Sequence, residues 1–244
     1  MKSLSSLRRF VRSKRVYPQR TRQNSVDSRD YFRQVGLYDR LSAGTGNGEI
    51  EPDYDDLRFL HEAVARSQKR RDLTVLEFGV GFSTLVFAHA ISMLPNAQRE
   101  KSQLHSLDTS AHWIDLTREK LPGELTGYVT FHHSQASAVS LDGQFCSLYD
   151  HLPNVRPNII YLDGPDPVEV QGTVRGLAFV TSAGKPNPPI AADLLTYEWL
   201  LERGSKLIVD GRNANARFLA RNFRRTWSYT HDAEGDRHIF NLDA

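Results

Sequence analysis

Apolar positions along the chain fall into short continuous runs that alternate with longer stripes of helical spacing. From Asp53, a good helix N-cap, Leu57, Leu60 and Val64 recur at i, i+3 and i+7 and predict a helix to about Gln68. Residues 73–78 (LTVLEF) read as a buried strand that stops at Gly79, and 83–94 turn helical until Pro95 closes the pattern. Further strands are expected at 104–107, 128–132, 158–162 and 206–209, with helices at 110–121, 191–203 and 213–225 between them. Two closing runs, 227–230 and 238–242, lie close enough to pair antiparallel. Strands that alternate with helices predict the α/β class: a doubly wound, mostly parallel sheet covered on both faces, with an antiparallel C-terminal strand pair.

Residues 42–53 (SAGTGNGEIEPD) are rich in turn formers and read as a linker, so a folded domain is expected over 53–244, preceded by an arm and linker over 1–52. The arm changes the picture of charge. Residues 1–26 hold eight Lys or Arg and no acid, so a chain of net charge +2 leaves −6 for the remainder. Arginines interrupt every apolar stretch of this segment, which argues against a secretory signal. It suits a solvated tail or contact with an anionic membrane surface. Hydrophobic residues at 39% and a mean hydropathy of −0.48 exclude an integral membrane protein, and no transmembrane segment is expected. The lone Cys146 excludes an internal disulfide and any CxxC site, and points to a reducing compartment, the cytoplasm.

Candidate chemistry gathers where the predicted strands end. In residues 77–84 (EFGVGFST), Gly79 and Gly81 permit a tight turn with no Cβ facing a ligand, and the next helix offers unpaired N–H groups. A dinucleotide fingerprint, GxGxxG, would need glycine at Thr84. The second strand ends at Asp108, whose two oxygens can accept from both hydroxyls of a ribose. Two later strands end in Asp163 and Asp210. In an open parallel sheet ligands lie beyond the carboxyl ends of the strands, so Glu77, Asp108, Asp163 and Asp210 are expected to edge one cleft.

These motifs resemble the class I S-adenosylmethionine-dependent methyltransferases, and small-molecule O-methyltransferases in particular, over roughly 53–244. The resemblance implies that Glu77, Gly79, Gly81 and Ser83 hold the methionine part of the cofactor and that Asp108 binds its ribose. It places Ser134, Gln135 and Ala136 against the adenine, and Asp163 beside the sulfonium and acceptor. It also implies methyl transfer to an oxygen of a small or carbohydrate-like acceptor, with Asp163 and Asp210 as base or orienting groups and Arg212 gripping the acceptor or pairing with Asp210. Some members of the family hold a divalent metal through two such acids and an Asn; here Gly211 stands where the Asn would be, so a metal lacks a ligand unless water or Asn213 supplies it.

The nine histidines show no HExxH, and His132 and His133 are expected on opposite faces of one strand. The basic last helix carries no nucleic-acid motif, so no specific nucleic-acid partner is expected. Nearly thirty residues separate Asp163 from the helix expected near Ala191; they suit a lid over the cleft, with Arg175 and Lys185 fitting an anionic acceptor. Two other readings are a nucleotide-dependent oxidoreductase, which Thr84 disfavours, and a non-catalytic binding module docked through the basic arm.

Overall fold

Strand β1 (Thr74–Phe78) is buried along nearly its whole length, which explains why it is apolar apart from Glu77. The computed structural model describes residues 28–43, 52–67 and 72–244; the basic segment 1–26, most of the glycine-rich linker and Gln68 lie outside them. β1 pairs in parallel with β2 (Gln103–Asp108), which pairs with β3 (Val129–His133). On its other side β1 pairs in parallel with β6 (Ile159–Leu162), followed by β8 (Lys206–Asp210). The sheet closes with β10 (Arg237–Leu242), antiparallel to both β8 and β9 (Trp227–Asp232), giving the order β3-β2-β1-β6-β8-β10-β9. The α/β class and the antiparallel C-terminal pair are as the pattern predicts.

Because side chains alternate along a strand, the sheet feeds two cores. Val75, Ile159, Tyr161 and Ile208 pack on one face against α3 (Tyr54–Ala65) and α4 (Phe82–Ser92). Leu76, Phe78, Ile160, Leu162, Leu207 and Val209 pack on the other, with α7 (Asp193–Tyr197) and α8 (Asn213–Asn222). Two further helices, α5 (Asn96–Arg99) and α6 (Ala111–Lys120), flank β2.

The core does not start near Asp53. Helices α1 (Ser28–Gln34) and α2 (Tyr38–Ser42) precede it and bury Phe32, Leu37 and Leu41 in the same cluster as Leu60 and Val64 of α3. The Tyr31 hydroxyl lies 2.7 Å from His61 Nδ1, tying α1 to α3. Neither helix spans more than two turns, too few repeats of the apolar period for the pattern to reveal them.

Two expected helices are also shorter. Glu198, almost fully buried in a 3₁₀ turn after α7, accepts the backbone N–H of Arg224 at 2.9 Å, that of Arg225 at 2.7 Å and the indole N–H of Trp227 at 3.0 Å. The donors that would extend α8 to 225 are used there instead, and α8 ends at Asn222.

Between β3 and β6 the chain makes a hairpin absent from the predicted elements. Strands β4 (Ala136–Leu141) and β5 (Gln144–Tyr149) join with β7 (Val170–Gln171) in a second small sheet. Its turn, Asp142-Gly143, has positive φ at both residues (49° and 76°), and Asp-Gly is the sequence signal that identifies such a hairpin. The segment after Asp163 is held to it: β7 pairs with β4, and Phe179 stacks on Phe145 with centroids 4.4 Å apart.

Candidate active site

The carboxyl ends of β1, β2, β6 and β8 open on one cleft of about 580 Å³. Its first wall is the loop after β1. Gly79 has φ +99°, and a Cβ there would press on the backbone of Asp163 at 3.4 Å; a Cβ on Gly164 would meet Gly79 N at 3.0 Å. The loops after β1 and β6 therefore touch backbone to backbone, and glycine at both positions is what lets them. A Cβ on Gly81 would meet nothing within 4 Å, so the backbone there faces open cleft.

Asp108 fixes this loop. Its Oδ2 accepts the backbone N–H of Val80 at 3.0 Å and its Oδ1 that of Ser110 at 2.7 Å. The following helix is capped by Ser110 rather than by Asp108. Burial pushes the Asp108 carboxyl up, and the two backbone donors pull it back. Each oxygen keeps acceptor capacity toward the cleft, which Asp108 lines with Ser83 and Trp113.

Glu77 does not line the cleft. It is fully buried beneath the loop, where Oε2 accepts from the hydroxyls of Thr84 and Ser106, each at 2.7 Å. Thr84 Oγ1 in turn accepts the N–H of Gly81 at 3.1 Å. The residue that breaks the dinucleotide fingerprint thus joins α4 to β1 through Glu77. Burial raises the Glu77 carboxyl to about 7, against the hydrogen bonds of Ser106, Ser83 and Thr84. Ser134 and Gln135 also stay away from the cleft: Ser134 Oγ accepts the N–H of His151 at 2.9 Å and donates to the Gln135 carbonyl, and Ala136 opens β4. They shape the turn into the hairpin.

The far wall carries the acids. Asp163 and Asp210 line it, as expected from the strand ends, together with Asp53, Asp56 and Tyr161, which the sequence pattern does not single out. Tyr161 donates to Asp210 Oδ2 at 2.9 Å. Asp56 on α3 accepts from Arg237 Nη1 at its Oδ1, at 2.8 Å. Burial and the neighbouring Asp210 push Asp56 far above the usual carboxylate range. Partial burial by the cleft walls raises Asp163 to about 6 although half its side chain stays exposed, with Arg212 pulling it down and Asp210 pushing it up.

Arg212 pairs with Asp163, not Asp210. Its Nε lies 3.6 Å from Asp163 Oδ1, and Nη2 donates to the carbonyls of Asp163 at 2.5 Å and Pro165 at 3.1 Å. It clamps the loop after β6 rather than reaching for an anion. Of the long segment after Asp163, only Gly164 and residues 166–169 line the cleft, and Arg175 and Lys185 lie exposed outside it. His132 and His133 do not line it: His132 stacks on His105, and His133 Nε2 lies 3.0 Å from the Thr109 carbonyl. No described helix is long and apolar enough to cross a membrane.

No protein-family model matches the chain, and no curated protein matches it in sequence. Solved structures similar to it are methyltransferases. One is the O-methyltransferase TomG from Streptomyces achromogenes, involved in tomaymycin synthesis and solved with S-adenosylmethionine: 14% identity, TM-score 0.45, covering 91% of this chain and 92% of that one. Others are a methyltransferase from Geobacter sulfurreducens (15%, TM-score 0.47, 89% and 87%) and the C-terminal domain of a precorrin-6Y C5,15-methyltransferase from Rhodobacter capsulatus (13%, TM-score 0.39, 80% and 90%).

Proposed function

We propose that the protein transfers a methyl group from S-adenosylmethionine to an oxygen of a small, hydroxyl-rich acceptor. The observation that carries this reading is the pairing of an open glycine loop, Gly79 to Gly81, with the Asp108 carboxylate at the head of one cleft, and carboxyl groups across from them. The fit is chemical: backbone at Gly81 faces open space, and Asp108 has acceptor capacity left after binding Val80 and Ser110. Gly79, Gly81, Ser83 and Asp108 would hold the cofactor. Bound there, it would supply an electrophilic methyl group on a sulfonium.

The chain's own part is to bind and orient. Transfer in line needs an acceptor lone pair aimed at the methyl carbon, so positioning supplies much of the rate. The Asp163 carboxylate, raised to about 6, would take the proton of the acceptor hydroxyl. Tyr161, hydrogen-bonded to Asp210, and Asp56 line the same wall beside it and suit acceptor hydroxyls. This wall is acidic, and Arg212 is engaged by the loop, so a phosphate or carboxylate on the acceptor would be repelled. That replaces the anionic acceptor suggested by Arg175 and Lys185.

A thermal-shift panel of S-adenosylmethionine, its demethylated product, NAD and NADP, followed by transfer of a labelled methyl to neutral polyols and to their phosphates, tests the reading. Stabilisation by the first two ligands and labelling of the neutral acceptors is expected. Stabilisation by NAD or NADP alone would overturn it.

A further inference from the structure

The closing hairpin gathers nitrogen and oxygen donors on the sheet face turned toward α8. His231 and His238 are cross-strand partners of β9 and β10, and their rings stack with centroids 4.2 Å apart and 9° between planes. Asp236, in the turn just before β10, has φ 43°, which returns its side chain to the same place. One ligating atom from each of the three lies within 4.8 Å of the others, the one such trio among the described residues.

The surroundings are built as those of a ligating histidine are. The buried His238 has its Nδ1 2.7 Å from the Tyr229 hydroxyl, so that ring nitrogen is oriented by a partner behind it and Nε2 is aimed forward. Ahead of Nε2, at 3.1 Å, is Asn213 Oδ1, and the same amide donates from Nδ2 to Asp236 Oδ1 at 3.3 Å. An ion inserted here would meet two imidazoles, a carboxylate and an amide oxygen. Exposed His231 and Asp236 can swing the short distance that bonds of about 2.0–2.2 Å require.

We propose that His231, Asp236 and His238 bind a divalent transition-metal ion of the zinc type, with Asn213 as an adjoining oxygen donor. Two imidazole ligands select such ions over magnesium and calcium, which take oxygen ligands. The site is separate from the metal position weighed at Asp163 and Asp210, and it does not depend on the reaction proposed above. It adjoins the loop between β8 and α8, because Gly211 N–H donates to the Asp236 carbonyl at 2.8 Å. Occupancy therefore ties the hairpin to the loop that carries Asp210 and Arg212.

The test is calorimetric titration of tag-free, chelator-treated full-length protein with zinc and, separately, magnesium, with melting temperature read alongside. One zinc per chain, a raised melting temperature and no comparable magnesium binding are expected. His231→Ala and Asp236→Asn, both exposed, should each weaken zinc binding by about tenfold or more. His105→Ala, at the other stacked histidine pair, should leave it unchanged. Zinc affinity unaltered in both hairpin variants, absence of zinc binding, or magnesium binding as tight as zinc would overturn the proposal.

Discussion

Arg237, on β10, donates from Nη1 to Asp56 Oδ1, near the start of α3, at 2.8 Å, so two residues far apart in sequence meet at the cleft wall. Through its other arm Arg237 reaches Asp232 Oδ2 at 2.6 Å, and in the sheet it is the register partner of Asp210 at the end of β8. The acceptor end of the cleft is thereby tied to α3, β8 and the closing hairpin. The Asp56→Asn variant keeps an acceptor for Arg237 but removes the carboxylate from the cleft wall. It should lower methyl transfer by about tenfold or more while changing cofactor affinity little, read as kcat beside a calorimetric Kd. An equal loss in both would show that Asp56 serves the whole cleft.

Asp163 must be ionised to accept a proton, and its carboxyl is raised to about 6. Turnover should therefore climb as pH rises through about 6, and Asp163→Asn should both slow the reaction and flatten that limb. A pH–rate profile with the same limb in the variant would assign the base elsewhere.

Glu77 contributes to stability with a definite sign. Its folded value, about 7, lies above the ordinary 4.5, so the folded protein binds its proton more tightly than the unfolded chain. That contribution is complete below the ordinary value and is lost as pH rises toward 7. Glu77→Gln should gain on the parent by up to about 3 kcal/mol between pH 4.5 and 8. Urea unfolding at the two pH values checks this; a constant difference would contradict it.

The helices before Asp53 make a separate prediction. Phe32 is fully buried among Leu60, Val64 and their neighbours, so Phe32→Ala should cost about 3–5 kcal/mol in unfolding free energy. Denaturant titration giving a loss under about 1 kcal/mol would detach α1 from the core.

What the sequence makes legible is what a period or a strand end can carry. Buried runs such as Thr74–Phe78 and the acids that close them, Asp108, Asp163 and Asp210, mark both the sheet and the cleft beyond it. Asp56 escapes notice because its role is set by the packing of α3 across β8, a contact between residues with no local relation. Glu77 misleads for a related reason: a strand-end acid faces either the ligand or the neighbouring helix, and Thr84 and Ser106 decide for the helix. Arg212 is drawn to the carbonyls of Asp163 and Pro165, whose course depends on the Gly79–Gly164 contact and not on the residues beside Arg212.

The ribose assignment of Asp108 holds the account together, and calorimetric titration of S-adenosylmethionine into the parent protein and Asp108→Ala tests it most directly. The parent should bind S-adenosylmethionine and not NAD, and the variant, stripped of its two acceptor oxygens and of the anchor at Val80, should lose on the order of 1.5–3 kcal/mol of binding free energy. Unchanged affinity in Asp108→Ala, or NAD bound more tightly than S-adenosylmethionine by the parent, would contradict it.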